Sequence, residues 1–224
     1  MKGISVASGH MYDWVTHMWS PVRGCPHGCS YCYARPDAEP KLLPYPWPTL
    51  GEGRTIFVGH LCDMWAEAVG DYMIRAVLAH IFYYPLNTYV FQTKNPDRLL
   101  AFEDRLPQIR MVGTTIETNR QPILDSVSKA PAAGVRAAAL SLLRGPKFLT
   151  LEPILDFDIQ DLLALILLAK PDFVNIGADS KGHGLPEPSV AKVLGLVQAM
   201  GRAGIMIRKK NNLGRLTTGT AGRE

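Results

Sequence analysis

Six short apolar runs that alternate with longer helical segments constrain the fold of this chain more than any other feature. The runs are rich in β-branched and aromatic residues, and their nearly continuous apolar character is typical of strands buried on both faces of a parallel sheet. They cover residues 55–62, 88–93, 110–116, 147–153, 173–177 and 204–208, and a further short strand is expected within residues 14–22. The alternation predicts an α/β fold of crossover units with six or seven parallel strands. A partly closed barrel and an open doubly wound sheet both satisfy this count.

The segments between these runs carry helix signals. Helices are predicted over residues 64–83, 96–105, 119–143 with a break near Pro131, 158–168 and 189–203. In the fourth of these, Asp158 and Asp161 stand early, where negative charge suits the helix dipole, and Pro171 lies just past the end. Because ligands of parallel α/β folds gather where the strands end, the polar residues at those points are the candidates for a functional site.

The length of 224 residues suits one domain with a full hydrophobic core. We expect this domain to span residues 1–210 and residues 211–224 to form a flexible basic and polar tail. The longest apolar stretch, Leu162 to Ala169, is far shorter than the roughly 20 residues of a membrane-spanning helix, and the N-terminus lacks a secretory-signal pattern. These features predict a cytoplasmic protein without a membrane partner.

Three of the four cysteines, Cys25, Cys29 and Cys32, stand close together in the spacing C-x3-C-x2-C. This crowding disfavours a disulfide framework and favours metal binding in a reducing compartment. Full ligation of a [4Fe-4S] cluster takes four cysteines, so a cluster held by three keeps one iron open to a small molecule. Structural zinc with His27 as a fourth ligand is the alternative, although zinc ligands usually come from separated turns.

The loop GCPHGCSYCYA, with Tyr31 directly before the third cysteine, resembles the signature of the radical S-adenosylmethionine (radical SAM) superfamily. In the same order along the chain, WSPVRGCPHGCSYCYA, FVGHLCDMW, FQTKNPDRL, VGTTIET, FLTLEPIL and VNIGADS resemble a phage-associated radical SAM-like family that is distantly similar to spore photoproduct lyase. The resemblance covers roughly residues 14–210. It implies a (β/α)6 partial TIM-like barrel of parallel strands, with the cluster loop after the first strand.

The resemblance also implies cofactors and chemistry. A [4Fe-4S] cluster on Cys25, Cys29 and Cys32 would bind S-adenosylmethionine (SAM) at its open iron. One electron, from a donor such as a flavodoxin, would cleave SAM to a 5′-deoxyadenosyl radical, which would abstract a hydrogen atom from a substrate carbon. Isomerase, lyase and transferase reactions all fit this step.

Three positions near the loop or at strand ends are implied contacts of SAM. Tyr31 would pack beside the adenine, unless it only shields the cluster from water. Asp63 is a candidate acceptor for the amino group, because Gly59-His60-Leu61-Cys62-Asp63 stands where the superfamily often has Gly-Gly-Glu; its other interpretation is the N-cap of a helix that starts at Met64. Gly177 would let the backbone approach the adenine.

The end of the fourth strand supplies three more implied contacts of SAM. Thr115, Glu117 and Asn119 alternate along an extended segment, so their side chains are expected on one face. The superfamily usually binds the ribose and carboxylate of SAM here. Asn119 could instead cap the following helix.

Three residues are candidates for the chemistry on the substrate. Lys94 and Glu152 end the third and fifth strands and would orient the substrate, or else form an ordinary ion pair at the barrel mouth. Cys62 would return a hydrogen atom to a product radical, although a buried cysteine is also a common small core residue.

The C-terminal part of the chain is basic. Residues 181–224 hold eight Lys and Arg against two acidic residues, and Arg208, Lys209, Lys210 and Arg215 are candidate phosphate contacts or part of a solvated tail. With the similarity to an enzyme that acts on DNA bases, this predicts modification or rearrangement of a base or base substituent, in DNA or a modified nucleoside. A modified pyrimidine of phage DNA, turned out of the stack in the host cytoplasm, is the preferred substrate. A photoproduct-type repair lyase and a non-enzymatic, metal-stabilised nucleic-acid-binding module are the alternatives.

Overall fold

The computed structural model describes residues 4–9, 11–34 and 39–217. The strands in this part of the chain are β1 (Ser5–Val6), β2 (His17–Trp19), β3 (Val22–Arg23), β4 (Lys41–Leu42), β5 (Thr55–Val58), β6 (Thr88–Thr93), β7 (Arg110–Thr115), β8 (Lys147–Leu151), β9 (Phe173–Ile176) and β10 (Met206–Lys209). Eight of them form one sheet in the order β1-β2-β5-β6-β7-β8-β9-β10, and β3 and β4 pair separately.

Strands β2 and β5 to β10 are parallel to one another, and the edge strand β1 is antiparallel to β2. The predicted α/β class with parallel strands is therefore confirmed. Within the described residues β1 and β10 are the two ends of the strand order, so the sheet is open and is not a closed barrel.

The helices are α1 (Asp71–Phe82), α2 (Pro96–Leu100), α3 (Gln121–Val127), α4 (Ala133–Leu142), α5 (Ile159–Ala169) and α6 (Val190–Arg202), with short 3-10 helices at Glu103–Arg105 and Asn211–Leu216. Helix α5 ends where Lys170 adopts a left-handed conformation, with φ of 50°. Helix α6 begins at Ser189, whose side chain accepts a hydrogen bond from the amide of Lys192. In the described ranges, no helix combines the length and the apolar character that a membrane crossing requires.

The long helices pack on one face of the sheet. Ile56 of β5 belongs to the large core cluster that also holds buried residues of α1, α4, α5 and α6. Its neighbour Phe57 points to the other face, where it joins a smaller cluster with Tyr12 and Val15 of the N-terminal segment. Because a doubly wound sheet carries helices on both faces, this arrangement favours the partial barrel over the doubly wound alternative.

The predicted helix over residues 64–83 is wrong in its first part, because α1 begins only at Asp71. Residues 64–70 form turns instead. Their apolar side chains Met64, Trp65 and Val69 are buried in the core, so the pattern that indicated a helix serves the packing of a compact turn. The carboxylate of Asp63 accepts the amide of Trp65 at 3.0 Å, which stabilises that turn.

The predicted tail includes a segment that packs on the domain. The 3-10 helix Asn211–Leu216 follows β10, and its side chains Leu213 and Leu216 are buried in the main core. The predicted domain boundary at residue 210 therefore falls just before this helix. Residues 218–224 lie outside the described residues.

Candidate active site

The cysteine loop follows β3 and is shaped by two glycines in the left-handed region of backbone conformation. Gly24 has φ of 87°, and a Cβ at this position would lie 2.0 Å from the carbonyl oxygen of Glu39, so a side chain there would displace the backbone. Gly28 has φ of 56°. Beyond α3, the amide of Lys129 donates to the carbonyl of His27 at 2.7 Å, which fixes the loop against the adjacent crossover.

A cavity of about 530 Å³ lies at the carboxyl ends of the parallel strands, and the cysteine loop forms part of its wall. Cys25, Cys29 and Cys32 all line it as free thiols. The predicted site residues that line it with them are Tyr31, Cys62, Asp63, Lys94, Thr115 and Glu152. These residues come from the loop and from the ends of four strands, so the fold brings together side chains that are far apart in sequence.

The three thiols have different surroundings. Cys29 has two side-chain partners: the ammonium of Lys94 donates to its Sγ at 3.2 Å, and the hydroxyl of Ser128 lies 3.1 Å away. Burial raises the pKa of the Cys25 thiol, although backbone hydrogen bonds from His27 and Asp63 act in the opposite direction. Hydrogen bonds of both kinds are the usual support of thiolates that ligate metals.

The Asp63 carboxylate is a junction between the cysteine loop and the strand ends. Its Oδ2 accepts from the amide of Lys94 at 2.7 Å, from the hydroxyl of Thr93 at 3.0 Å, and contacts Nε2 of His27 at 2.8 Å. Burial acts to raise the pKa of Asp63, but the hydrogen bonds from these groups lower it overall. Since α1 begins eight residues later, Asp63 is not the N-cap of a helix. It anchors the loop in addition to facing the cavity.

The donor set of the loop fits ligation of an iron–sulfur cluster by three cysteines. Three thiols face one cavity, as a cluster held by three cysteines requires, and Nε2 of His27 contacts the Asp63 carboxylate. In the parts of the chain that are described, no group of three or more His, Cys, Asp and Glu side chains is arranged to hold a metal ion.

Behind the thiols lies a buried set of charges that we call the inner charge cluster: Lys94, Glu117 and Arg136. The Glu117 carboxylate lies 2.9 Å from Nη1 of Arg136 and 3.3 Å from Nζ of Lys94, and the side chains of Glu117 and Arg136 are 0% exposed. The hydroxyl of Tyr31 donates to Glu117 at 2.5 Å and accepts from Lys94 at 2.8 Å. Glu117 therefore holds Tyr31 and Lys94 from beneath and is not part of the described cavity lining.

Protonation states within the inner charge cluster follow from these contacts. Burial acts to raise the pKa of Glu117, but Arg136 and Lys94 outweigh it and lower the pKa to about 2. Burial acts to lower the pKa of Lys94, but the influence of Tyr31, Glu117 and Cys29 raises it well above its ordinary value. Burial, reinforced by Glu117, raises the pKa of Tyr31. At neutral pH the Glu117 carboxylate is thus anionic, the Lys94 ammonium is protonated, and the adjacent Tyr31 phenol is neutral.

Glu152 lines the cavity directly after β8 and binds the chain that follows β10. Its carboxylate accepts from Nζ of Lys210 at 2.7 Å and from Nδ2 of Asn212 at 2.9 Å. The predicted pair of Lys94 with Glu152 is not what the structure shows, since Lys94 pairs with Glu117. Gly177 lies beneath this group, and a Cβ there would meet Glu152 and Asn212 at 2.9 Å, so the glycine makes room for Glu152.

Asn119 lies away from the other candidates. Its Oδ1 accepts the amide of Asp158 at 2.9 Å, at the start of α5. Thr115 lines the cavity and accepts from Nε2 of Gln92 at 2.9 Å. The three residues expected on one face have different surroundings, since Thr115 lines the cavity, Glu117 pairs with Arg136, and Asn119 binds Asp158.

The four predicted phosphate contacts have different surroundings. Arg208 lies over the ring of Phe173 at 4.0 Å, Lys210 pairs with Glu152, and Arg215 pairs with Glu187 at 2.5 Å. Lys209 is exposed on the edge strand β10. Lys210 is the member of this set that lines the cavity.

Several cavity residues were missed by the sequence analysis. Tyr12, from a segment without a strong pattern, hydrogen-bonds Gln92 and Thr150 at 2.8 Å. Asp179 and His183 form a pair at 2.7 Å within the loop that follows β9. The polar run after β9 was a signal for the second pair, whereas only the three-dimensional packing reveals Tyr12.

The fold resembles solved structures of spore photoproduct lyase. A double mutant of that enzyme, with bound AdoMet (SAM) and dinucleoside spore photoproduct, matches with a TM-score of 0.57 and 12% identity over 79% of this chain and 61% of that one. The enzyme complexed with dinucleoside spore photoproduct gives a TM-score of 0.55 and 13% identity over 80% of this chain and 62% of that one. This chain therefore spans less than two thirds of the enzymes it matches, and the likeness at this identity is one of fold.

Comparison of the sequence with known families and proteins assigns the chain to no family. No protein-family model matches the chain, and no curated protein matches it either.

Proposed function

We propose that this protein is a radical SAM enzyme that uses a [4Fe-4S] cluster and SAM to act on a nucleobase of DNA. The observation that carries the proposal is the convergence of Cys25, Cys29 and Cys32 on one cavity at the carboxyl edge of a parallel half-barrel. The likeness in fold to spore photoproduct lyase, which binds AdoMet and a dinucleoside photoproduct in its solved structures, supports it. A cluster with SAM bound supplies hydrogen-atom abstraction from an unactivated carbon.

The chain's own residues have distinct parts in this proposal. The three cysteines hold the cluster, and Tyr31 and Thr115 line the space beside it, where SAM binds. Asp63 keeps the cysteine loop and the end of β6 in register. Glu152 and Lys210 form the opposite wall, where the substrate base binds. The half-enclosed cavity limits the access of water and of other hydrogen donors.

The preferred reaction is modification or rearrangement of a base or its substituent, with a modified pyrimidine of phage DNA as substrate. A photoproduct-type repair lyase is the second candidate, and Cys62 favours it. Its thiol lines the cavity, and burial, with Asp63 and Cys25 nearby, raises its pKa well above the ordinary value. The sulfur therefore keeps its hydrogen at neutral pH, which a donor of hydrogen atoms to a product radical requires.

The proposal is tested first without a substrate. Protein reconstituted anaerobically with iron and sulfide, then given dithionite and SAM, should release 5′-deoxyadenosine and methionine. Cys29→Ala should lower this release at least a hundredfold and reduce the iron content, because one corner of the cluster loses its ligand. Cys62→Ala is the matched control, since it removes a cavity thiol outside the loop and should keep cluster and SAM cleavage. Release that persists in Cys29→Ala would refute the ligand assignment.

The substrate is tested with three DNAs: plain, modified in its pyrimidines, and ultraviolet-damaged as dry film. Nucleoside mass analysis after incubation with the active enzyme should show a changed base in the modified DNA. Loss of a photoproduct from the damaged DNA, with a different product from Cys62→Ala, would select the lyase instead. If no base changes in any of the three DNAs while SAM is cleaved, the proposed DNA substrate is contradicted and the radical chemistry stands.

A further inference from the structure

The contact between Lys94 and Cys29 is the most unusual feature of the site, because it places a charged group on one thiol of the loop. Nζ of Lys94 lies 3.2 Å from Sγ of Cys29, and its side chain is 16% exposed. Cys25 and Cys32 have no comparable contact with Lys or Arg among the hydrogen bonds and ion pairs of the described residues. Lys94 also lies 4.6 Å from the centre of the Tyr31 ring.

The inner charge cluster has an excess of positive charge. Lys94 and Arg136 are cations, and Glu117 is the carboxylate that both of them contact. Nε and Nη2 of Arg136 are buried and have no hydrogen-bond partner among the described residues. Burying an excess charge is costly unless an anion faces it, and the group next to Lys94 on the cavity side is the Cys29 sulfur.

From this geometry we infer that Lys94 is a positioning residue that tunes the cluster electrostatically and makes its reduction easier, an inference that rests on the proposed function. A cluster held by three thiolates carries negative charge, and reduction adds one electron. A buried ammonium that donates to a ligating sulfur stabilises the reduced state more than the oxidised state, and so raises the reduction potential. Arg136 acts through Glu117, which holds Lys94 in place.

This role differs from the orientation of substrate that the sequence suggests for Lys94. Its ammonium is engaged by Cys29, Tyr31 and Glu117, so its donors point to the cluster side of the cavity. The substrate wall, at Glu152 and Lys210, is formed by other strand ends. Lys94 thus acts on reduction of the cluster and not on binding of the substrate.

The test is the midpoint potential of the reconstituted cluster, followed by electron paramagnetic resonance during a redox titration with dithionite. Lys94→Met removes the charge and the donor, and Lys94→Gln removes the charge but keeps an N–H donor on a slightly shorter side chain. Both should bind as much iron and sulfide as the parent protein and show a midpoint shifted to more negative potential. Lys94→Arg should stay near the parent value, and Lys209→Met, at an exposed lysine on β10, is the matched control without a shift.

Each outcome of this experiment either supports or overturns the inference about Lys94. Equal potentials in the parent, Lys94→Met and Lys94→Gln would overturn the inference, as would loss of the cluster from both neutral variants, because Lys94 would then be a structural brace. If one neutral variant loses its cluster, the other gives the answer. A parent protein that takes up no four-iron cluster would instead overturn the proposed function, so the two failures are distinct.

Discussion

Two ion-paired clusters follow the ends of β6 to β8, and they differ in burial. In the inner charge cluster, Glu117 and Arg136 are 0% exposed. In the second, which we call the outer charge cluster, Arg120 pairs with Asp156 and with Asp158, and the side chains of Arg120 and Asp158 are 35% and 48% exposed. The first supports the thiol loop, whereas the second connects the loops after β7 and β8. Arginine–carboxylate pairs therefore have two different structural roles in this protein.

The two carboxylates Glu117 and Asp158 show what burial changes. The pKa of each is lowered to about 2, but for different reasons. For Glu117, the opposing cost of burial is large and is outweighed by Arg136 and Lys94. For Asp158, the hydrogen bond from Arg120 is the main cause. Because water and salt screen the exposed pair, an equal pKa does not mean an equal contribution to stability.

The largest expected effect is that of Arg136→Met. This change leaves the buried Glu117 carboxylate with Lys94 as its remaining cation, and removing one partner of a buried pair typically costs roughly 3–5 kcal/mol. The free energy of unfolding, from urea denaturation followed by tryptophan fluorescence, should fall by about that amount. The same substitution at Arg120 is the matched control. Equal losses in the two variants would contradict the distinction between the clusters.

Much of the fold could be predicted from local sequence, whereas the inner charge cluster could not. Strand β6 has the predicted bounds, 88–93, because a β-branched and aromatic run is limited on both sides by turn residues. The helix predicted from Met64 failed because buried apolar residues in a turn imitate a helical pattern. The bounds of β6 are thus decided by local sequence, whereas the turn at Met64 is decided by packing against the core.

The cysteine loop was identifiable from the sequence, whereas the side-chain pairs around it were not. The spacing of Cys25, Cys29 and Cys32 is local, so the loop was identified from the sequence. The contact of Lys94 with Cys29 joins residues 65 apart in sequence and depends on the position of β6 beside the loop. Arg136 was missed because an arginine in an alanine-rich segment reads as a surface residue. Long-range electrostatics of this kind is invisible to spacing rules.

The second effect in size concerns acid stability. The pKa of Glu117 is about 2 in the folded protein against an ordinary value of 4.5, so its contribution is present above pH 4.5 and is lost as the pH falls toward 2. By linkage this amounts to about 3 kcal/mol. Urea denaturation from pH 5 to pH 2 should show a flatter pH dependence in Glu117→Gln than in the parent. An unchanged slope would show that other carboxylates dominate acid unfolding.

The smallest effect is that of Arg120→Met, and salt reveals its origin. The exposed pairs with Asp156 and Asp158 are screened at high ionic strength, where the Debye length falls to about 3 Å. The urea midpoint should shift far less than in Arg136→Met, and the shift should shrink further in about 1 M NaCl. The loss in Arg136→Met should persist in the same salt, because its charges lie out of contact with solvent. A salt-insensitive shift in Arg120→Met would mean that the apolar stem of the arginine, through its packing, joins the loops after β7 and β8. The difference in stability loss between the two clusters would then come from packing contacts more than from charge.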